Sequence, residues 1–183
     1  MRTVKLTPET RKEILTNLLK RSTFQYGSYM DTVNQILADI REKGDEALFA
    51  YTEKFDHVKL TPETVRVSPE EVEEACGQVD PEFLRVLRRA AENIRSYHQH
   101  QVRNSWITTR EDGVMLGQRI TPLESVGLYV PGGKAAYPSS VLMNLIPAQV
   151  AGVKRLIMVT PPGKDGKVNP QVLAAAREGG VTE

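Results

Sequence analysis

Apolar residues recur at helical spacing through the first half of the chain. A stripe of them follows the motif TPE at 7–9 and predicts a helix that ends near Lys20 or Arg21. A second helix is predicted after an N-cap at Asp31, and Gly44 separates it from a third helix. The start of the chain is therefore expected to form a helical hairpin.

Two further helices carry N-terminal capping signals. Ser68 and Glu71 have the spacing of a capping box, and Asp80 precedes Pro81 at the start of the longest amphipathic stretch. Just before them, residues 65–67 alternate like a strand, although the preceding hexapeptide KLTPET also occurs at the start of the first helix. The pattern predicts a short strand followed by two helices.

Beyond Gln101 the helical spacing gives way to short β-rich runs. Residues 106–108 and 114–121 are rich in β-branched and apolar side chains, and Asp112-Gly113 lies between them. An Asp-Gly pair between two such runs is a strong signal for a tight turn. We expect a β-hairpin here.

The last part of the chain alternates strands with helices. Residues 125–130 form an apolar run typical of a strand buried on both faces, and a second such strand is predicted over 153–160. A helix over 141–150, capped by Ser139 or Ser140, joins them, and Asn169 is expected to cap a last helix. This order predicts an α/β fold with parallel βαβ units. Because two buried strands need neighbours, a third is expected to begin at 181–183, which suggests a longer polypeptide.

Composition narrows the class of protein. The 183 residues carry 24 Lys and Arg against 23 Asp and Glu, so no surplus of cations supports binding to nucleic acid or to a membrane surface. A single cysteine, Cys76, excludes an internal disulfide framework, and no apolar run approaches the roughly 20 residues that a membrane span requires. We expect a cytoplasmic protein without nucleic-acid or membrane partners.

Candidate chemistry concentrates in the loop GLYVPGGKAAYPSS at 127–140. It joins the end of a strand to the start of a helix, where anions bind well, and it offers an aromatic ring at Tyr129. Neither GxGxxG nor GxxxxGK[ST] is present, so a ligand site and a plain turn both remain open interpretations. The three histidines are not clustered with other ligands, and no metal site is predicted. Cys76 is expected to be a small core residue.

The segment VGLYVPGGKAAYPSSVLMNLIPAQVAGV at 126–153 resembles the histidinol dehydrogenase family, and so does REKGDEALFAYTEKFD at 41–56. The resemblance implies two related, incomplete Rossmann-like domains. It divides the chain into residues 1–124, a helical and α+β part of the first domain, and residues 125–183, the first half of the second domain.

The same resemblance implies an NAD-dependent, zinc-requiring homodimer that oxidises L-histidinol through L-histidinal to L-histidine. Tyr129 matches an NAD-contacting tyrosine, and Pro131, Pro161 and Phe55 match positions near the bound dinucleotide. Phe55 also fits a core position on its helix stripe. No catalytic residue or zinc ligand is assigned to this chain. The alternative is a non-catalytic nucleotide-binding or assembly module with the same architecture.

Overall fold

The computed structural model describes residues 5–19, 27–132 and 135–183 and has an α/β fold, as the sequence predicts. The helices are α1 (Pro8–Leu19), α2 (Gly27–Lys43), α3 (Asp45–Asp56), α4 (Pro69–Gly77), α5 (Pro81–Gln99), α6 (Pro138–Val150) and α7 (Pro170–Gly179). The strands are β1 (Trp106–Thr109), β2 (Met115–Gln118), β3 (Ser125–Tyr129) and β4 (Arg155–Val159). None of the described helices is long and apolar enough to cross a membrane.

Residues Met1–Tyr51 form one of two units of the chain, and Thr52–Glu183 form the other. In the first unit α2 begins at Gly27, so the prediction that Asp31 caps this helix is wrong. The apolar stripe of α2 extends to its N-terminal side, which allows the helix to start a turn earlier. Gly44 separates α2 from α3 at φ +58°, as predicted. The predicted end of α1, near residue 20, lies outside the described residues.

The second unit confirms both predicted capping signals. The Ser68 hydroxyl accepts a hydrogen bond from the Glu71 N–H at 3.2 Å, and the Glu71 carboxylate accepts one from the Ser68 N–H at 2.8 Å. The Asp80 carboxylate accepts one from the Glu82 N–H at 2.8 Å. These caps satisfy N–H groups that have no partner within a helix.

The predicted strand at 65–67 is wrong, because the chain forms a turn there. The carbonyl oxygen of Thr61 accepts hydrogen bonds from the N–H groups of Thr64 and Val65. All strand pairing among the described residues occurs within β1–β2 and β3–β4. The alternating residues 65–67 therefore have no neighbouring strand to pair with.

Two small sheets form in the second unit. β1 and β2 pair antiparallel around a turn with Gly113 at φ +83°, which confirms the predicted hairpin. β3 and β4 pair in parallel, with Ser125 opposite Arg155 and Tyr129 opposite Val159, and α6 is their crossover. The last two residues also lie along β4, because the Met158 N–H donates to the Glu183 carbonyl oxygen at 2.8 Å. This is the position where the third strand was predicted.

The apolar core of this unit lies on one face of the parallel sheet. α6 packs against β3, α5 and α7, and α5 and α7 also contact each other. The buried members of this core are Leu87, Leu128, Val130, Val141, Leu142, Leu145, Ile146, Val153, Leu156, Val172, Ala175 and Ala176. The prediction that β3 is buried on both faces is wrong, because its alternate residues Ser125, Gly127 and Tyr129 are exposed. The predicted domain boundary after residue 124 stays a prediction.

An ion pair at the surface joins α5 to α7 beside this core and makes stability depend on pH. The Arg88 guanidinium donates two hydrogen bonds to the Glu178 carboxylate, at 2.6 and 2.7 Å, and they hold the pKa of Glu178 below its ordinary value. We expect Glu178→Gln to lower the free energy of unfolding by at most about 1 kcal/mol, since Arg88 is largely exposed.

The direction in which stability changes with pH follows from the lowered pKa of Glu178. The contribution is complete above the ordinary carboxyl pKa of about 4.3 and is lost as the pH falls through the lower folded-state pKa. Urea titrations of both proteins at several pH values measure the difference. Glu82→Gln is the matched control, because among the described residues Glu82 pairs with Arg85 one turn along the same helix rather than with a second element. An equal effect of the two substitutions, or a Glu178→Gln effect that persists at low pH, would contradict the prediction.

Candidate functional site

The candidate site lies at the carboxyl edge of the parallel sheet, where β3 and β4 both end. Parallel strands bring their carboxyl ends to the same edge, and open α/β sheets bind their ligands there. Tyr129 ends β3 and Val159 ends β4. The segments after them, 130–132 and 160–162, therefore start side by side.

Tyr129 and Val159 form an exposed apolar platform. They are directly opposite each other in the strand register and are 65% and 55% exposed. Their neighbours Leu128 and Val130 are buried because side chains alternate between the two faces of a strand. A flat ring next to an aliphatic side chain suits the face of a base or another planar ring.

The segment that follows β3 approaches Pro161 closely at Gly132, next to this platform. A Cβ atom at position 132 would lie 3.0 Å from Pro161 Cγ and 3.3 Å from the Pro161 carbonyl oxygen. Pro161 would have to shift by a few tenths of an ångström to admit that atom. The buried Val130 fixes the same junction, since its N–H donates to the Val159 carbonyl oxygen at 3.0 Å. Pro131 is exposed beside this junction, and Pro161 is half-buried.

The amino end of α6 comes after the loop that leaves β3. Tyr137 is the N-cap residue and makes no side-chain capping hydrogen bond, and Pro138 is the first helical residue. The prediction that Ser139 or Ser140 caps the helix is wrong, because both lie inside its first turn. Proline is favoured at that first position and starts the helix before the serines. An N-terminus without a side-chain cap leaves N–H groups able to bind an anion. Residues 133 and 134 of the loop lie outside the described residues.

Phe55 lies near the carboxyl end of α3. Its ring is 53% exposed and lies 5.3 Å from the Lys54 ammonium, so the expectation of a buried core position is wrong. Its assignment to the neighbourhood of a dinucleotide stays a prediction.

The electrostatics of the edge differ from those of common dinucleotide sites. Such sites place an Asp or Glu near the end of the second strand to bind a ribose hydroxyl. The segment Thr160-Pro161-Pro162 after β4 contains no charged residue. The described residues of this edge offer a ring face, a close approach of the backbone and helix N–H groups.

A metal site is not found among residues 5–19, 27–132 and 135–183, where no three His, Cys, Asp or Glu side chains cluster. His98 lies in the last turn of α5, and His100 is its C-cap. Cys76 is half-buried rather than a core residue. The described residues do not fit zinc.

Sequence reasoning missed Val159 and the role of Gly132. Val159 has the pattern of an ordinary strand residue, and only the register with β3 places it beside Tyr129. Gly132 belongs to a visible Pro-Gly-Gly motif, but its contact with Pro161 joins segments almost thirty residues apart. Both contacts could have been found from the sequence only by assuming that the strands predicted over 125–130 and 153–160 pair in parallel.

Comparisons with a family model and with individual proteins point to the same family. The sequence model of the family "Histidinol dehydrogenase" matches residues 19–183. The histidinol dehydrogenase of Heliobacterium mobile is 54% identical over 167 residues, which cover 91% of this chain and 39% of that protein. That of Geobacillus kaustophilus is 58% identical over 151 residues, which cover 82% and 35%. The chain thus spans well under half the length of these relatives.

A solved structure extends the likeness to the fold. The crystal structure of histidinol dehydrogenase from Elizabethkingia anophelis superposes with a TM-score of 0.74 at 33% sequence identity. The match covers 100% of this chain and 37% of that one.

Proposed function

Because the chain belongs to the histidinol dehydrogenase family, we propose that it supplies the NAD-binding side of an enzyme that oxidises L-histidinol through L-histidinal to L-histidine. The observation that carries the proposal is the exposed pair Tyr129 and Val159 at the carboxyl edge of the parallel sheet. The family match supports the proposed reaction, and the exposed pair Tyr129 and Val159 supports the proposal that these residues bind NAD.

NAD fits the residues present at this edge. When bound, it would supply hydride acceptance, one molecule for the alcohol and a second molecule for the aldehyde after water has added to it. Tyr129 offers a ring face to one of its planar groups, and Val159 extends that apolar surface. Gly132 lies against Pro161, and a residue without a side chain lets a ligand approach the backbone closely beside the exposed Pro131. The amino end of α6 is suited to bind negative charge.

Zinc does not fit the described residues, which contain no cluster of three possible ligands. The family resemblance implies a zinc requirement. We therefore propose that the zinc ligands, and the groups that move protons, lie in the part of the polypeptide by which the relatives exceed this chain.

Three further features of the proposal depend on the family. The substrate is L-histidinol, the assembled enzyme is a homodimer, and it acts in the cytoplasm. A balanced charge and a single cysteine support the location. Rossmann-like architecture is supported by the parallel β3–α6–β4 unit.

An activity comparison tests the proposal. We expect the 183-residue chain to show no histidinol-dependent NAD reduction, since the described residues lack the zinc site. A longer polypeptide, in which this chain is followed by the remaining sequence of the Heliobacterium mobile relative, is expected to reduce NAD with L-histidinol and to lose that activity when a chelator removes zinc. The measurement is the appearance of NADH.

Two outcomes would contradict this assignment. Turnover by the pure 183-residue chain would place the chemistry within it. A folded longer polypeptide that binds NAD but leaves L-histidinol unchanged would favour the non-catalytic nucleotide-binding module.

A further inference from the structure

The segment that follows β4 begins inside the candidate site. It joins the carboxyl end of β4 to Asn169, the N-cap of α7, and it starts where Pro161 lies against Gly132. The first charged residue along it after the platform is Lys164. The position of this lysine therefore bears on which ligands the edge can hold.

Residues 163–167 of this segment, with the sequence GKDGK, form a closed turn. The Gly163 N–H donates to the Lys167 carbonyl oxygen at 2.8 Å, and the Gly166 N–H donates to the Gly163 carbonyl oxygen at 2.9 Å. Gly166 has φ +78°, a conformation that glycine adopts readily. Position 166 also lies against the buried Val58, because a Cβ atom there would be 3.6 Å from Val58 Cγ1. The turn is therefore fixed by its own backbone and by its contact with Val58.

The turn carries three charged side chains, and two of them are engaged within the protein. The Asp165 carboxylate accepts a hydrogen bond from the Lys167 N–H at 3.1 Å. The Lys167 ammonium lies 3.6 Å from the Glu74 carboxylate on α4. Lys164 is exposed, and its ammonium makes no ion pair with any other described residue. Lys164 is thus the cation that this turn can offer to a ligand.

A cation at this place suits a phosphate group. The residues between β4 and the turn, Thr160-Pro161-Pro162, carry no carboxylate that would repel an anion. The amino end of α6 adds the partial positive charge of a helix dipole at the same edge of the sheet. A lysine ammonium binds phosphate oxygens as a compact point charge. Together the two groups favour an anionic ligand over a neutral one.

We propose that Lys164 binds the pyrophosphate of the dinucleotide whose planar group contacts Tyr129. This inference rests on the proposed binding of NAD at the carboxyl edge and names a residue that holds the cofactor there. The negative charge of NAD lies on its pyrophosphate, whereas its rings are the parts that an aromatic side chain can contact. Lys164 recognises the charge of the cofactor, and Tyr129 recognises its rings.

Charge variants of Lys164 test the inference through the affinity for NAD. Affinity is measured by calorimetric titration of the polypeptide extended with the Heliobacterium mobile sequence. Lys164→Gln is expected to weaken NAD binding by about 3- to 10-fold at low ionic strength, the range for a charge-assisted contact at an exposed site. Lys164→Glu should weaken it further, because it places a negative charge beside the pyrophosphate. Lys164→Arg keeps the positive charge and should retain most of the affinity.

Salt and a matched substitution separate a charge contact from a general effect on the turn. Added salt should reduce the difference between Lys164→Gln and the unchanged protein, because it screens the attraction between exposed charges. The loss of affinity in Tyr129→Ala should persist at every salt concentration. Lys167→Gln is the matched control, since it removes the same charge from the same turn but from an ammonium beside Glu74. It is expected to change the affinity by less than about 2-fold.

Equal effects of Lys164→Gln and Lys167→Gln would overturn the inference, and so would a Lys164→Gln effect that added salt does not reduce. The same holds if Lys164→Glu binds NAD as tightly as the unchanged protein. These outcomes leave the proposed function intact, because NAD still binds. Failure of the unchanged, folded polypeptide to bind NAD would instead contradict the proposed function and this inference together.

Discussion

Leu145→Ala is expected to lower the free energy of unfolding by about 2–5 kcal/mol, the range for a leucine deleted from a packed core. Leu145 is fully buried on α6 within the core that α5, α6 and α7 share. A cavity there removes contacts from several elements at once. Urea unfolding of the 183-residue chain measures the loss.

A second substitution tests the packing at the same point. Gly179 ends α7, and a Cβ atom there would overlap Leu145 Cδ2. We expect Gly179→Ala to cost about 1–3 kcal/mol, because a fully buried leucine has little room to move. Gly77→Ala is the matched control, since Gly77 also ends a helix but its Cβ would meet nothing within 4 Å.

The two core substitutions are expected to be strongly coupled. Leu145→Ala removes the atom that the new Cβ would overlap, so the double variant should be less destabilised than the sum by about 1 kcal/mol or more. Strict additivity, or a Gly179→Ala effect no larger than that of Gly77→Ala, would show that α6 and α7 do not pack as described.

The caps at Ser68 and Asp80 could be predicted from the sequence, whereas the caps predicted for α2 and α6 were wrong and the strand predicted at 65–67 did not form. The hexapeptide KLTPET illustrates the difference. The Thr7 N–H donates to the Thr10 hydroxyl at 2.8 Å, and the Thr61 N–H donates to the Thr64 hydroxyl at 2.9 Å. The first copy continues into α1, while the second ends in a turn before the alternating residues 65–67. The same N–H to hydroxyl hydrogen bond therefore forms in both copies, and the residues C-terminal to each copy decide whether a helix grows.

In the candidate site, too, local features could be predicted from the sequence and contacts between distant segments could not. The end of a strand, the glycines and the start of a helix could be predicted from the order of residues between 125 and 150. The platform could not, because Val159 reaches Tyr129 only through the pairing of two strands separated by a helix. Burial of β3 was predicted from its apolar run. Side chains on one face are nevertheless exposed, since burial depends on which elements cover each face of the sheet.

Tyr129→Ala is expected to weaken NAD binding by about 10-fold or more, because stacking of a base on an aromatic side chain contributes about 1–3 kcal/mol. The ring is 65% exposed at the end of β3 and supports no part of the buried core, so the fold should be retained. Calorimetric titration of NAD into the polypeptide extended with the Heliobacterium mobile sequence measures the change.

Three comparisons separate a binding role of Tyr129 from a structural one. Tyr129→Phe keeps the ring face and is expected to retain most of the affinity. Tyr97→Ala removes a tyrosine of matched exposure, 66%, from the last turns of α5 and should leave NAD binding unchanged. Zinc content should be the same in all three variants, because the described residues hold no metal cluster. A side chain that only stacks on NAD should change the affinity for NAD and leave the zinc content unchanged. Loss of zinc from Tyr129→Ala, or unchanged NAD affinity, would therefore contradict the proposal that the platform binds the dinucleotide.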